Sequence, residues 1–137
     1  MPGRSTAPRA GDALRDHVAG LGRDLGLDAR IEVRVGRRVW GAERFIDVVL
    51  TQRATHPSLE IECKVQNTAG SAEEKIPTTI QDIRAWPIRG IVCFAGEGLS
   101  TNMRAFLVST GLAVEFENLG QWLRLYFGLL EDEGGRG

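Results

Sequence analysis

Two neighbouring segments constrain this chain most: Ile46-Asp47-Val48-Val49-Leu50 and Leu59-Glu60-Ile61-Glu62-Cys63-Lys64-Val65-Gln66. The turn-forming stretch Gln52-Arg53-Ala54-Thr55-His56-Pro57-Ser58 separates them. That pattern predicts two sequential strands, at about 44–51 and 59–66. Alternate side chains of a strand share a face. Leu59, Ile61, Cys63 and Val65 therefore line one side of the second strand, and Glu60, Glu62, Lys64 and Gln66 line the other. Four polar groups in a row fill a sheet interior badly, because each loses its water. They suit a place where carboxylates, an ammonium and an amide act together.

The flanking pattern supplies the remaining elements. Leu14, Val18, Leu21 and Leu25 recur at helical spacing, which predicts a helix over 11–26 stopped by Gly26. Ile31, Val33 and Val35 alternate with Glu32 and Arg34, a half-buried strand, and Gly36 to Glu43 reads as a hairpin connection. After Gly70, Ser71 and Glu74 have the spacing of a capping box. Ile76, Ile80 and Ile83 form the stripe of a helix that Pro77 begins or kinks and Trp86-Pro87 ends. Ile88 to Ala95 is apolar enough for a strand buried on both faces. Ser100 caps a helix with Met103, Phe106 and Leu107 inward and Gly111 as its stop. Val114 and Phe116 mark a last short strand, and Asn118 with Gln121 starts a final helix. The order is α-β-β-β-α-β-α-β-α, an α/β fold with an antiparallel meander feeding a right-handed crossover to a parallel strand.

At 137 residues the chain is expected to hold one domain over 11–130. A disordered lead over 1–10 and a flexible tail over 131–137 are expected to flank it. No signal peptide and no membrane-spanning run is legible, so a cytoplasmic location is expected. Cys63 and Cys93 both fall in apolar strands and read as reduced packing residues; two cysteines alone make no zinc site. The net charge of −1 does not advertise a nucleic-acid partner. The distribution does more, since Arg23, Arg30, Arg34, Arg37, Arg38, Arg44 and Arg53 crowd the first half and could neutralise phosphates.

The basic residues carry a second signal. Nearly all are Arg; Lys64 and Lys75 are the only lysines, and both stand at or just after the polar strand. Arg is a planar fork that stays protonated, whereas Lys is a compact charge with a tunable pKa. Keeping Lys here implies a need for an ammonium. Asp47 on one strand and Glu62-Cys63-Lys64 on its neighbour resemble the core motif of the PD-(D/E)xK nuclease superfamily. The run Glu62-Cys63-Lys64-Val65-Gln66, followed by Gly70-Ser71-Ala72-Glu73-Glu74-Lys75-Ile76-Pro77, resembles its small phage and bacterial branch. The order of elements fits as well. The departure is Ile46, where the motif name has Pro.

The resemblance implies a restriction-endonuclease-like core with a mixed sheet of about five strands, and a metal-dependent DNA endonuclease. It implies that Asp47, Glu62 and the backbone carbonyl of Cys63 ligate Mg²⁺, with Mn²⁺ able to substitute. That donor set suits a hard ion that takes one or two carboxylates plus waters and substrate oxygens. Lys64, two residues beyond Glu62, projects from the same face, where an ammonium can orient a water and stabilise developing charge. Gln66 continues that face as a group for water or phosphate. Ser71 and Lys75, near a helix start, could hold a substrate phosphate. Asp16 and Glu32 are long shots for a further acidic ligand, Asp16 because it lies opposite the apolar stripe of its helix. Glu60 is expected to be solvated, and His56, before Pro57, exposed.

Trp122, Leu123, Leu125, Tyr126, Phe127, Leu129 and Leu130 cover nearly the whole girth of the last helix. A helix apolar all round is buried on more than one side, so either it lies deep against the sheet or a second copy covers it in a homodimer. Two other functions stay open beside the endonuclease: a Holliday-junction-resolvase-like enzyme, and a non-catalytic DNA-binding module on a nuclease fold.

Overall fold

The stripe Leu14, Val18, Leu21 and Leu25 forms helix α1 (Ala10–Asp24), with Leu14 and Val18 buried and the other two packed on the same core. Gly26, at φ +88°, ends it. Leu27 N–H donates to the Gly22 carbonyl at 2.9 Å and Gly26 N–H to that of Arg23 at 2.9 Å. This is a Schellman stop, and only a residue without Cβ adopts its left-handed step freely. Gly22 serves a different end. A Cβ there would stand 2.5 Å from the Leu50 side chain, so α1 lies directly on the sheet at that point.

In the computed structural model, residues 10–37, 43–65, 75–84 and 89–129 are described. Strands β1 (Asp28–Arg37), β2 (Glu43–Thr51) and β3 (Ser58–Val65) form an antiparallel meander. Helix α2 (Lys75–Arg84) precedes β4 (Gly90–Ala95), which pairs with β3 in parallel. Helix α3 (Thr101–Ser109) then precedes β5 (Ala113–Glu115), parallel to β4, and α4 (Phe116–Phe127) closes the order. The sheet runs β1-β2-β3-β4-β5. Fold class and element order are as the sequence implied.

The sheet has two apolar sides. Beneath α1 and α4 lie Val48, Leu50, Leu59, Ile61, Cys63, Ile91 and Cys93, joined by Leu119, Leu123 and Phe127 of α4. On the other side Val92 and Phe94 of β4 meet Ile80 and Ile83 of α2 and Leu107 of α3. β4 is thus buried on both faces, as its sequence implied. Ser100 caps α3 as expected, accepting the Met103 N–H at 3.0 Å.

Three expectations need correcting. Phe116 is the first residue of α4, not the end of a strand, because β5 stops at Glu115. Phe106 is exposed while Leu107 is buried and Met103 partly so. Met103 and Leu107 are four apart and share a face, whereas Phe106 lies about 100° round the helix from Leu107. Glu60 is buried at 4% exposure. Its strand is central, between Val49 of β2 and Gly90 of β4, so it has no sheet edge to reach water from. The Ser71–Glu74 capping box, the 66–74 stretch and the proposed flexible termini (most of 1–10, and 131–137) lie outside the described residues, as do the side chains of 75–78.

Candidate active site

Pairing between β2 and β3 runs from Thr51–Ser58 to Val48–Ile61. Carried one step further, the register sets Asp47 across from Glu62. There the backbone ladder gives way to a side chain: Cys63 N–H donates to Asp47 Oδ2 at 2.7 Å. Glu60 N–H points at β4, bonding the Arg89 carbonyl at 2.9 Å, so alternation turns the N–H of Cys63 toward β2. In an antiparallel strand the carbonyl of a residue points the same way as its N–H. The Cys63 carbonyl therefore faces the gap that holds the Asp47 carboxylate.

Ile61 and Cys63 are buried under α1 and α4, and Glu62 and Lys64, alternating with them, project from the opposite face. Asp47, Glu62 and Lys64 are each half-buried. In β4 the residues paired with Glu62 and Lys64 are Val92 and Phe94, covered by α2 and α3. The polar row thus begins beside the second apolar core and runs outward from it. The Cys63 thiol registers the same geometry from below. Burial raises its pKa first, the neighbouring Cys93 adds to that, and the charges of Asp47 and Glu62 raise it further. Burial likewise pushes the Cys93 thiol up to about 12. Both are packing thiols, as their sequence context implied, and neither is a nucleophile at neutral pH.

The acidic residues considered as further ligands are engaged elsewhere. Arg15 of α1, 14% exposed, donates from Nη1 to Glu32 Oε2 at 2.7 Å and from Nε to Asp16 Oδ1 at 3.0 Å. Its Nη1 also lies 3.4 Å from Asp12 Oδ1. The hydrogen bond to Asp16 raises the Arg15 pKa above its ordinary value. Glu32 lies between the Ile31–Val48 and Val33–Ile46 pairs, level with Asp47, and its φ is +51°. A left-handed glutamate costs about 1 kcal/mol, a strain held here by the Arg15 contact. Arg15 was not singled out from sequence; its i, i+3 spacing from Asp12 was the legible hint.

Other expected residues fall as follows. Gln66 and Ser71 lie outside the described residues, and Lys75 is described only as the first residue of α2. His56 is exposed at a turn with φ +66°. Of the arginines in the first half, Arg23 donates to the Ala29 carbonyl and Arg53 lies 3.5 Å from Asp28; Arg30 and Arg34 stand exposed on β1. Phe45, two residues before Asp47 on the same strand, is 51% exposed and pairs with Arg34. No group of three or more His, Cys, Asp or Glu side chains is placed to hold a metal ion among the described residues. The Asp47 and Glu62 carboxylates and the Cys63 carbonyl are all oxygen groups.

The family model described as PD-(D/E)XK nuclease superfamily domain matches residues 7–119. A crystal structure of a protein of unknown function superposes with a TM-score of 0.53 at 17% identity, over 76% of this chain and 56% of that one. A repair endonuclease from Pyrococcus abyssi aligns with a TM-score of 0.42 at 13% identity, over 80% of this chain and 47% of that one. The chain thus covers about half the length of the solved structures it resembles. No curated protein matches significantly.

Proposed function

The chain belongs to the PD-(D/E)XK nuclease superfamily, and we propose that it is a metal-dependent DNA endonuclease in which Asp47, Glu62 and Lys64 carry phosphodiester hydrolysis. The observation that supports this most is the Cys63 N–H bound by Asp47 Oδ2. It draws the carboxylate of β2 to the middle of the Glu62-Cys63-Lys64 run.

Asp47 and Glu62, with the Cys63 carbonyl, are the groups that would hold Mg²⁺, or Mn²⁺ in its place. A carboxylate has several lone-pair sites, so one bond to a backbone N–H leaves Asp47 able to coordinate. An all-oxygen set with two carboxylates matches what Mg²⁺ takes. Bound there, the ion supplies Lewis-acid stabilisation of the charge that develops on the phosphoryl oxygens. Lys64 holds the attacking water in line by hydrogen bonding and adds its own positive charge beside the same oxygens. Water adds to phosphorus, the bond to the leaving oxygen breaks, and the proton lost by water is balanced by one gained at that oxygen. Gln66, Ser71 and Lys75 belong to the proposal on sequence grounds, as groups for water or substrate phosphate.

DNA is the proposed substrate, with the exposed Arg30 of β1 as a group for its phosphates. No helix among the described residues is long and apolar enough to cross a membrane, and the two buried thiols fit a reducing, cytoplasmic setting. A homodimer through α4 is also proposed. Leu119, Leu123 and Phe127 are buried within the chain, and Leu125, 84% exposed, is the residue a second copy would cover. Light scattering on wild type and Leu125→Arg at micromolar concentration checks this; a wild-type monomer removes the dimer.

The enzyme reading is tested with supercoiled, linear, single-stranded and four-way-junction DNA, in Mg²⁺, Mn²⁺ or EDTA. Metal-dependent cutting that Asp47→Ala abolishes is the expected result. Binding of DNA with no cutting in any metal defeats it.

A further inference from the structure

Next to this site lies a cavity that the hydrolysis does not use. It opens at the carboxyl ends of the parallel strands β4 and β5, with a volume of about 730 Å³, and Phe94, Gly96, Glu97, Arg104, Glu115 and Glu117 are among its lining residues. Open α/β sheets bind ligands at that end of their strands. Phe94 pairs with Lys64, so the cavity starts on the strand next to the one that carries Lys64, about 4.8 Å away backbone to backbone.

The chemistry of the lining is one-sided. Arg104 is the one cation among its described lining residues, and that guanidinium is already committed: Nη1 donates to Glu115 Oε2, Nη2 to the Gly96 carbonyl at 2.6 Å, and the group lies 5.9 Å from the Phe94 ring centre. Glu97 and Glu117 are exposed carboxylates at the rim. With Glu115 offset by Arg104, the cavity carries an excess of negative charge and offers acceptors. A phosphate is repelled from such a place. What fits is a flat, neutral group rich in donors, lying against Phe116, the half-buried aromatic side chain of the lining.

We propose that this cavity receives the base of an unpaired nucleotide adjoining the scissile phosphate, and that it prefers guanine. This rests on the endonuclease reading above. The sugar–phosphate backbone follows the Asp47–Glu62–Lys64 side, and the base turns into the acidic recess one strand over. Guanine alone among the DNA bases sets two donors, N1–H and N2–H, side by side on its Watson–Crick edge, where one carboxylate accepts both. Adenine and cytosine offer a single amino group there, and thymine a single ring N–H. The edge is free only when the nucleotide is unpaired, so the substrate has single-stranded character at the cut: a flap, loop, bulge or single strand. A volume of about 730 Å³ lies within the range of pockets for small ligands and holds one base with water.

Two measurements test this on the full chain. The first sequences the ends produced in Mg²⁺ from single-stranded and flap DNA carrying randomised positions around the cut. The second follows fluorescence anisotropy of labelled single strands differing at one base, in EDTA, where no cutting is possible. The expected result is guanine enrichment beside the cut and tighter binding of the guanine strand, each by at least about fivefold, the scale of one bidentate base contact. Glu97→Gln and Glu117→Gln, conservative changes at exposed positions, should together reduce both preferences toward unity. Cutting that is flat in base composition, or as fast in fully paired DNA, overturns the base pocket while leaving the nuclease. A guanine preference that survives both substitutions also overturns it. Guanine-selective binding without any cutting keeps the pocket and removes the nuclease.

Discussion

β3 and β4 lie side by side in parallel register, share one buried face, and differ on the other. Toward α1 and α4 both present apolar groups, Ile61 and Cys63 beside Ile91 and Cys93. On the opposite side β4 presents Val92 and Phe94, closed over by α2 and α3, whereas β3 presents Glu62 and Lys64, half-buried. The same architecture that seals β4 along its length covers β3 at Glu60 and leaves it half-open at Glu62 and Lys64. β4 is apolar because the fold needs it so; the charges of β3 add nothing to the core. The difference separates residues that hold the sheet together from residues that the sheet holds in place.

The largest expected effect is on activity. Lys64→Ala should lower the rate of DNA cutting by about 10²–10⁴-fold, the scale for losing a group that stabilises transition-state charge or moves a proton. Its stability should stay within about 1 kcal/mol of wild type in a urea titration, since the residue is half-buried on an open face. Phe94→Ala, at the paired position on β4, inverts the pattern. Phe94 is fully buried, and its loss should cost about 3–5 kcal/mol by the same titration. If Lys64→Ala were the destabilising change of the two, the contrast between the strands would be wrong.

The shared face gives the smallest effect, one of pH. Cys93 has an ordinary thiol value of 9.0 and is pushed up to about 12 by burial in the fold. Below about pH 9 both folded and unfolded chains keep the proton, and its contribution to stability is fully present. Between about 9 and 12 the unfolded chain gives the proton up and the folded chain does not, so stability falls by about 1.4 kcal/mol per pH unit. Cys93→Val should make that alkaline decline shallower by about one proton in unfolding curves taken at successive pH values. An unchanged slope would mean that the thiol is not buried as described.

The facing of Asp47 and Glu62 was legible in the sequence for a physical reason. A strand has period two, and the turn at 52–58 joins β2 to β3 directly, so hydrophobic alternation fixes which side each carboxylate takes. The burial of Glu60 was not legible. Alternation assigns it a face but cannot say that the strand at its side leaves it no route to water. Phe106 shows the same limit on a short helix: the i, i+3, i+4 spacing of Met103, Phe106 and Leu107 allows all three to face inward, and only the packing of α3 selects Met103 and Leu107. The Arg15 cluster was hidden because Glu32 lies seventeen residues away, on another element, with a backbone angle that no pattern announces.

The central claim is that Asp47 and Glu62, brought together from adjoining strands, bind one hard cation. Mn²⁺ titration of the DNA-free protein, followed by electron paramagnetic resonance, measures this without any cutting. The account predicts one ion per chain for wild type, and none at the same concentrations for Asp47→Ala or Glu62→Ala with the circular dichroism spectrum retained. Equal Mn²⁺ uptake by wild type and both variants would contradict it.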